Sequence, residues 1–467
     1  MYQIKFGTDG WRAIIADDYT VENVARVADA TARWVKAQSA NPSIVLGYDC
    51  RFGGKLFAET TIKMMYAHGV KVFYDAMYCT TPMISLAAVR LQTVAGVIIT
   101  ASHNPPTYNG FKLKSGFGGP TPPTEIARVE SLIESTVAIP KVSLEEIAKA
   151  GLLEMVDYEK MYLDEVNSKF DIETIKKSKM NIVYDAMYGS GQRIFPKLFP
   201  DAKLLHCDYN PSFKGIAPEP VPKNLEELST YIKQAGNIHF ALVNDGDADR
   251  IAIYDSKGNY IDAHHIILML IHILHKYKSM NGKVVVAFSA SPKIKKMCDA
   301  YGLTCEITKI GFKYIAEIMV NEDVLVGGEE SGGIAVKGHI PERDGIWDGL
   351  VVLEHLAKYN KTIEALIAEI YEVVGSFAYH RNDLYLTEEK KQAILKNCES
   401  NAYQSFGGLK VLRVETIDGY KYFLENEQVV MIRASGTEPL LRVYGEAANM
   451  DLVNALLKAS CAMLLES

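Results

Sequence analysis

The chain has 467 residues, enough for three or four domains at ~100–200 residues each, and its 48% hydrophobic and 23% charged composition supplies ample material for cores. A formal charge of −7 gives no global basic field, which argues against nucleic acid as a partner while leaving room for a local phosphate pocket. Seven scattered cysteines without a CxxC pair exclude a zinc or disulfide framework and predict reduced thiols in a cytoplasmic protein.

In chain order, the opening MYQIKFGTDGWR has no basic stretch followed by an apolar one, so no signal peptide is expected. Apolar, β-branched runs then alternate with amphipathic segments. SIVLGYD (43–49), VKVFYDA (70–76) and AGVIIT (95–100) predict buried strands, with helical spacing in VENVARVADATARWVKA (21–37) and FAETTIKMMYAHG (57–69). The alternation recurs around NIVYDAM, HFALVND, KVVVAFS, TCEITKI and VLVGGEE, which favours α/β units with largely parallel sheets. The word YDAMY occurs at 74–78 and again at 184–188, each after a Val-containing strand, as domains built on one repeated plan would show. HHIILMLIHILH (264–275) falls short of the ~20 apolar residues of a membrane span and predicts a buried core helix. After about Gly375 the texture changes. GLKVLRVETIDGYKYFLENEQVVMIRAS alternates with period two around an Asp418-Gly419 hairpin signal, and a closing helix follows. Boundaries are expected at 1–150, 151–256, 257–372 and 373–467.

Four loops carry chemistry. TASHNPPTYNGFK (100–112) follows a strand with a hydroxyl, an imidazole and an amine, an unusual load for a turn. NDGDADRIAI (244–253) delivers Asp245, Asp247 and Asp249. On an extended segment alternate residues point the same way, so three carboxylates can converge on one hard cation. An EF-hand would need Gly and Glu where Arg250 and Ser256 stand, so that reading fails, and Mg²⁺ suits the site best. VGGEESGG (326–333) sets Glu329, Glu330 and Ser331 between glycines, as a polyol ligand requires. RASGTEPLLRVY (433–444) flanks Ser435, Gly436 and Thr437 with Arg433 and Arg442, a phosphate cradle.

Together, in this order, the loops resemble those of the α-D-phosphohexomutase superfamily, the group of phosphoglucomutase and phosphomannomutase. GTDGWR at the start, NPSFKGIAPEPVPKNL from Asn210 and GHIPERDG from Gly338 add to the match. The resemblance implies four domains around a central cleft: three related α/β domains with mixed sheets, and a smaller α+β domain bearing the phosphate loop. It implies Ser102 as a phosphorylated nucleophile whose phosphate meets Mg²⁺ on Asp245, Asp247 and Asp249. Arg12, His103, Lys112 and Arg250 would stand near that phosphate, with Lys112 and His339 as candidates for proton transfer. Glu329, Ser331 and Lys309 would contact sugar, and Arg433, Ser435, Gly436, Thr437 and Arg442 the non-reacting phosphate.

The implied reaction interconverts hexose 1-phosphate and hexose 6-phosphate through a hexose 1,6-bisphosphate, in a cytoplasmic monomer or homodimer without nucleic-acid or membrane partners. The G-E-E-S-G form of the sugar loop favours glucose, with mannose also accepted, over glucosamine. A metal-dependent phosphatase would not need both a sugar clamp and a remote phosphate cradle. A non-catalytic sugar-phosphate-binding protein would not need Ser102 beside an intact D-G-D-A-D-R.

Overall fold

The computed structural model describes residues 2–434 and 440–466. The chain divides into two compact units, 1–285 with 311–367 and 286–310 with 368–467. Every strand expected from the sequence is present, because a run such as Ala95–Ile99, buried at all five positions, can satisfy its backbone and its side chains together only inside a covered sheet.

In the first unit, one sheet has the order Trp11–Ile14, Tyr108–Ser115, Ala95–Ile99, Ser43–Tyr48, Lys71–Tyr74, Leu153–Met155. The last four strands run parallel and the first two antiparallel to their neighbours. A second sheet repeats the plan. Lys203–Leu205, Ile182–Asp185 and Phe240–Asn244 are parallel, then Ile251–Tyr254 and Tyr260–Ile261 fold back antiparallel. The repeated YDAMY makes the same turn in both sheets. Asp75 Oδ1 accepts from Met77 N at 2.9 Å, and Asp185 Oδ1 accepts from Met187 N at 2.8 Å.

This plan positions chemistry. The serine loop joins the antiparallel pair in which Ile99 faces Phe111. The aspartate loop joins the pair in which Asn244 faces Ile251. The sugar loop joins Val324–Gly328 to Ile334–Val336, with Gly328 facing Ile334. Helix Ala263–His272 is buried along its whole length, as its composition predicts. No helix among the described residues is long and apolar enough to cross a membrane.

The second unit holds an antiparallel sheet in the order Ala378–Tyr385, Leu440–Ala447, Val429–Ala434, Tyr420–Leu424, Leu409–Glu415, Ser405–Phe406. Helix Met450–Glu466 closes it, packing Val453, Leu456, Leu457 and Leu464 against Tyr422, Val430, Ile432, Leu441 and Val443. The period-two texture is the alternation of these strands. The Asp418-Gly419 turn sits between Leu409–Glu415 and Tyr420–Leu424, as its signal predicts.

Candidate active site

The serine, aspartate and sugar loops all belong to the first unit, and the first two touch. Ser102 Oγ donates to Asp245 Oδ2 at 2.6 Å and lies 3.4 Å from His103 Nδ1. The backbones also meet: a Cβ on Gly246 would lie 2.5 Å from the Ser102 carbonyl oxygen, so glycine is required there.

The aspartates converge differently from the extended alternation expected. Ala248 takes φ +58° and its N–H returns to Asp245 O at 3.1 Å, so a tight turn gathers the carboxylates. Their ligand oxygens all lie within 4.8 Å of one another and the three residues are fully buried. Asp247 Oδ1 and Asp249 Oδ1 are buried without a hydrogen-bond partner among the described residues. Two orphaned anionic oxygens in a triad whose ligand atoms cluster this closely are a donor set for a hard divalent cation, so the residues fit a metal. Burial and then the neighbouring carboxylates of Asp247 and Asp249 push Asp245 well above the usual carboxylate range, the strain such a cation would relieve.

A buried charge network surrounds the aspartates. Lys112 Nζ, fully enclosed, reaches Asp247 Oδ2 at 2.7 Å, Asp249 Oδ2 at 2.8 Å and Asp9 Oδ2 at 2.9 Å. Burial alone would depress Lys112, but these carboxylates raise it above the ordinary lysine value and hold it as a cation. Burial likewise works against the Asp247 anion, yet Lys112 and the Thr81 hydroxyl, donating at 2.6 Å, hold Asp247 below the usual range. Arg343 Nη2 bonds Asp249 Oδ2 at 2.8 Å and also Asp9 Oδ2. Lys114 Nζ meets Glu342 Oε2 at 2.6 Å, and Ser85 Oγ donates to the same oxygen at 3.0 Å.

His103 lies beside the serine, and Arg12 and Arg250 reach the residues next to it. Arg12 Nη1 donates to Asn104 Oδ1 at 2.6 Å, and Arg250 Nη2 lies 3.4 Å from His103 Nε2. Desolvation and then the cations Arg250, Arg12 and Lys112 drive His103 well below the usual histidine range, so its imidazole is neutral. His339 does not join them through any contact described. It lies 3.0 Å from Asp344 Oδ2 and stacks on Trp347, centroids 3.7 Å apart, and Asp344 also caps helix Gly345–Tyr359. Those partners fix the His339 ring at a helix start and leave its Nδ1 buried without a partner among the described residues.

In the sugar loop, Glu329 Oε1 accepts from Gly311 N at 3.0 Å, and burial pushes the carboxyl up to about 7. Gly332, at φ +88°, lets Ile251 N donate to its carbonyl at 3.0 Å, which docks the loop carrying Ser331 onto the strand leaving the aspartates.

The second unit carries the other expected contacts. Arg433 and Arg442 sit directly opposite across their strand pair, on one face of the sheet. Like charges so placed repel, and the Nε of each is buried without a partner among the described residues, features that suit an anion. Asp418 Oδ2 accepts from Arg433 Nη2 at 3.4 Å and from Ile310 N at 3.0 Å, linking the arginine strand to the loop of the exposed Lys309. Ser435, Gly436 and Thr437 lie outside the described residues.

Sequence reading missed Arg51, Asp9 and Arg343 as contributors. Asp9 and Arg343 lie inside the quoted GTDGWR and GHIPERDG, which marked them, whereas DCRFGG around Arg51 offers only Asp-x-Arg after a strand.

Comparison with known proteins agrees over nearly the whole chain. The family models for phosphoglucomutase/phosphomannomutase α/β/α domains I, II and III match residues 3–138, 160–258 and 262–374, and the model for the C-terminal domain matches 386–461. A phosphoglucomutase/phosphomannomutase of Thermococcus kodakarensis is 27% identical over 99% of this chain and 98% of its own length. A phosphoglucosamine mutase of Carboxydothermus hydrogenoformans is also 27% identical, over 98% of each chain. A crystal structure from Thermus thermophilus, named as a phosphomannomutase, superposes with a TM-score of 0.87 at 28% identity over 100% of both chains. With four domain matches in order and the serine and aspartate loops in contact, the chain belongs to the phosphoglucomutase/phosphomannomutase family, isomerases of the α-D-phosphohexomutase superfamily.

Proposed function

We propose that this phosphohexomutase interconverts glucose 1-phosphate and glucose 6-phosphate, accepts mannose phosphates as well, and carries the phosphate on Ser102 between the two halves of the cycle. The observation that carries the reading is Ser102 Oγ held 2.6 Å from Asp245, beside two orphaned aspartate oxygens. Phosphoryl transfer depends chiefly on positioning and charge neutralisation, and the loop is built for both. Mg²⁺ held by Asp245, Asp247 and Asp249 would supply Lewis-acid stabilisation of a phosphate there. Arg12 and Arg250 set guanidinium charge beside the serine, and neutral His103 can exchange a hydrogen bond with Ser102 Oγ. Lys112, held as a cation by its three carboxylates, supplies fixed positive charge beside the aspartates, and its raised value makes it a poor proton donor.

The sugar must present each end in turn, leaving a hexose 1,6-bisphosphate within the protein between transfers. Contacts that survive the reversal must grip hydroxyls that superpose, the 3- and 4-hydroxyls, and Glu329 and Ser331 take that role. Glucose and mannose share both. Arg433 and Arg442, with Ser435, Gly436 and Thr437, hold the phosphate that is not reacting, and Lys309 adds a sugar contact.

A coupled assay with glucose, mannose and glucosamine 1-phosphates tests the reading. Glucose should give the highest kcat/KM, mannose a lower but measurable one, and Glu329→Gln should depress both alike. Turnover confined to glucosamine 1-phosphate, the substrate class named for the Carboxydothermus relative, would replace the hexose assignment. Release of inorganic phosphate without isomerisation would make the protein a phosphatase.

A further inference from the structure

Ser102 adopts φ +51°, in the left-handed region that a residue with a Cβ keeps only when its surroundings impose it. Those surroundings can be named. The Arg51 side chain is wholly buried, and its guanidinium grips the serine loop by four carbonyls. Nη1 donates to Pro105 O at 2.8 Å and Tyr108 O at 2.9 Å, and Nη2 donates to Ser102 O and Asn104 O, each at 2.6 Å. Asp49, at the end of the neighbouring parallel strand, orients Arg51. Its Oδ1 accepts from Arg51 N at 2.9 Å, and its Oδ2 lies 3.4 Å from Arg51 Nε. Asp49 Oδ2 also accepts a hydrogen bond from the Thr100 hydroxyl. A hydroxyl has only one proton, so Thr100 must present a lone pair on its other side, and there Ser102 N donates to Thr100 Oγ1 at 2.9 Å. The Ser102 amide and carbonyl are thus both fixed from one charged pair, just past the end of the strand beside the one that delivers the serine.

We propose that Asp49, Arg51 and Thr100 form a positioning device that holds Ser102 in its left-handed turn and its Oγ in line for phosphate exchange. None of the three bonds the carboxylate triad through a contact described; Arg51 and Asp49 do feel the charge of Asp247, but Arg51→Lys and Thr100→Val leave both charges in place, so those variants read the hold on Ser102. The proposal rests on the reading of Ser102 as the phosphate carrier, and the test separates the two.

The informative variants are Thr100→Val, which keeps shape and loses the oxygen, Thr100→Ser, which keeps the oxygen, and Arg51→Lys, which keeps charge and loses the fork. Each is assayed for kcat and KM with glucose 1-phosphate. Intact mass then follows the rate at which unphosphorylated protein takes one phosphate from glucose 1,6-bisphosphate. A displacement of about 1 Å costs on the order of 100-fold in rate. Thr100→Val and Arg51→Lys should lose about that much in kcat and in phosphate uptake, with KM little changed, while Thr100→Ser retains most of the parental rate. A folded Thr100→Val protein that takes up phosphate at the parental rate overturns the proposal, as does Thr100→Ser proving as slow as Thr100→Val. If Arg51→Lys does not fold, the Thr100 pair decides alone. Full turnover by Ser102→Ala would instead sink the reading of Ser102 itself, whatever the other variants do.

Discussion

Replacing Lys112 by methionine should unbalance the buried charges around the aspartates in a way that can be measured and partly reversed. The ammonium lies 2.7 Å from Asp247, 2.8 Å from Asp249 and 2.9 Å from Asp9. Without it, Asp249 and Asp9 keep Arg343, but among the described residues Asp247 keeps only the Thr81 hydroxyl as a side-chain hydrogen-bond partner. The cost therefore falls on one carboxylate. Removing one partner of a buried ion pair costs about 3–5 kcal/mol, because the remaining charge is left unpaired. The thermal midpoint in EDTA should fall accordingly, and added Mg²⁺ should recover part of the loss by neutralising the same carboxylate. Combining Lys112→Met with Asp247→Asn should also restore stability in EDTA, since the second change removes the stranded charge. Scanning calorimetry of the parent, both single variants and the double variant, with and without Mg²⁺, reads all of this. A Lys112→Met protein as stable as the parent in EDTA, or strictly additive losses in the double variant, would refute the reasoning.

Asp247→Asn alone should cut kcat steeply and raise the Mg²⁺ concentration needed for half-maximal activity, and full activity of the parent in excess EDTA would show the triad has been misread. Glu329, pushed up to about 7 by burial from its usual 4.5, binds more protons folded than unfolded between those values. Its contribution to stability is therefore complete below about pH 4.5 and is lost as pH rises through 7, by roughly 3 kcal/mol in all. Glu329→Gln should flatten that part of the stability profile, and an unchanged slope between pH 5 and 7 would count against the shift. If the Glu329 carboxylate grips sugar hydroxyls, KM for glucose 1-phosphate should rise more steeply as pH falls below 7 in the parent than in Glu329→Gln, where only the substrate phosphate, with a second pKa of about 6, still titrates, as initial-rate assays would show.

Much of this was legible in the sequence because the signals were local. Buried parallel strands read as continuous apolar runs, the Asp418-Gly419 hairpin announced its own turn, and the repeated YDAMY pointed to one repeated plan, which the structure carries down to the same aspartate cap in both copies. The four loops were legible for the same reason, each being a short string of unusual residues after a strand. What stayed hidden depends on partners far apart in the chain. Arg51 works through backbone carbonyls, which leave no trace in the pattern of side chains. The Asp9–Arg343–Asp249 chain joins residues from three distant segments. The aspartate loop misled in detail, since nothing in D-G-D-A-D requires Ala248 to turn left-handed. The motif around His339 likewise could not reveal that Asp344 and Trp347 are the neighbours of its ring.

The central claim is that Ser102 carries the phosphate, and the direct measurement is the intact mass of the protein after incubation with glucose 1,6-bisphosphate and Mg²⁺. The parent should gain the mass of one phosphate, peptide mapping should place it on Ser102, and addition of glucose 1-phosphate should discharge it with formation of the bisphosphate. Ser102→Ala should gain nothing and turn over nothing. A phosphate that maps elsewhere, or a Ser102→Ala protein that still isomerises glucose 1-phosphate, would contradict the account.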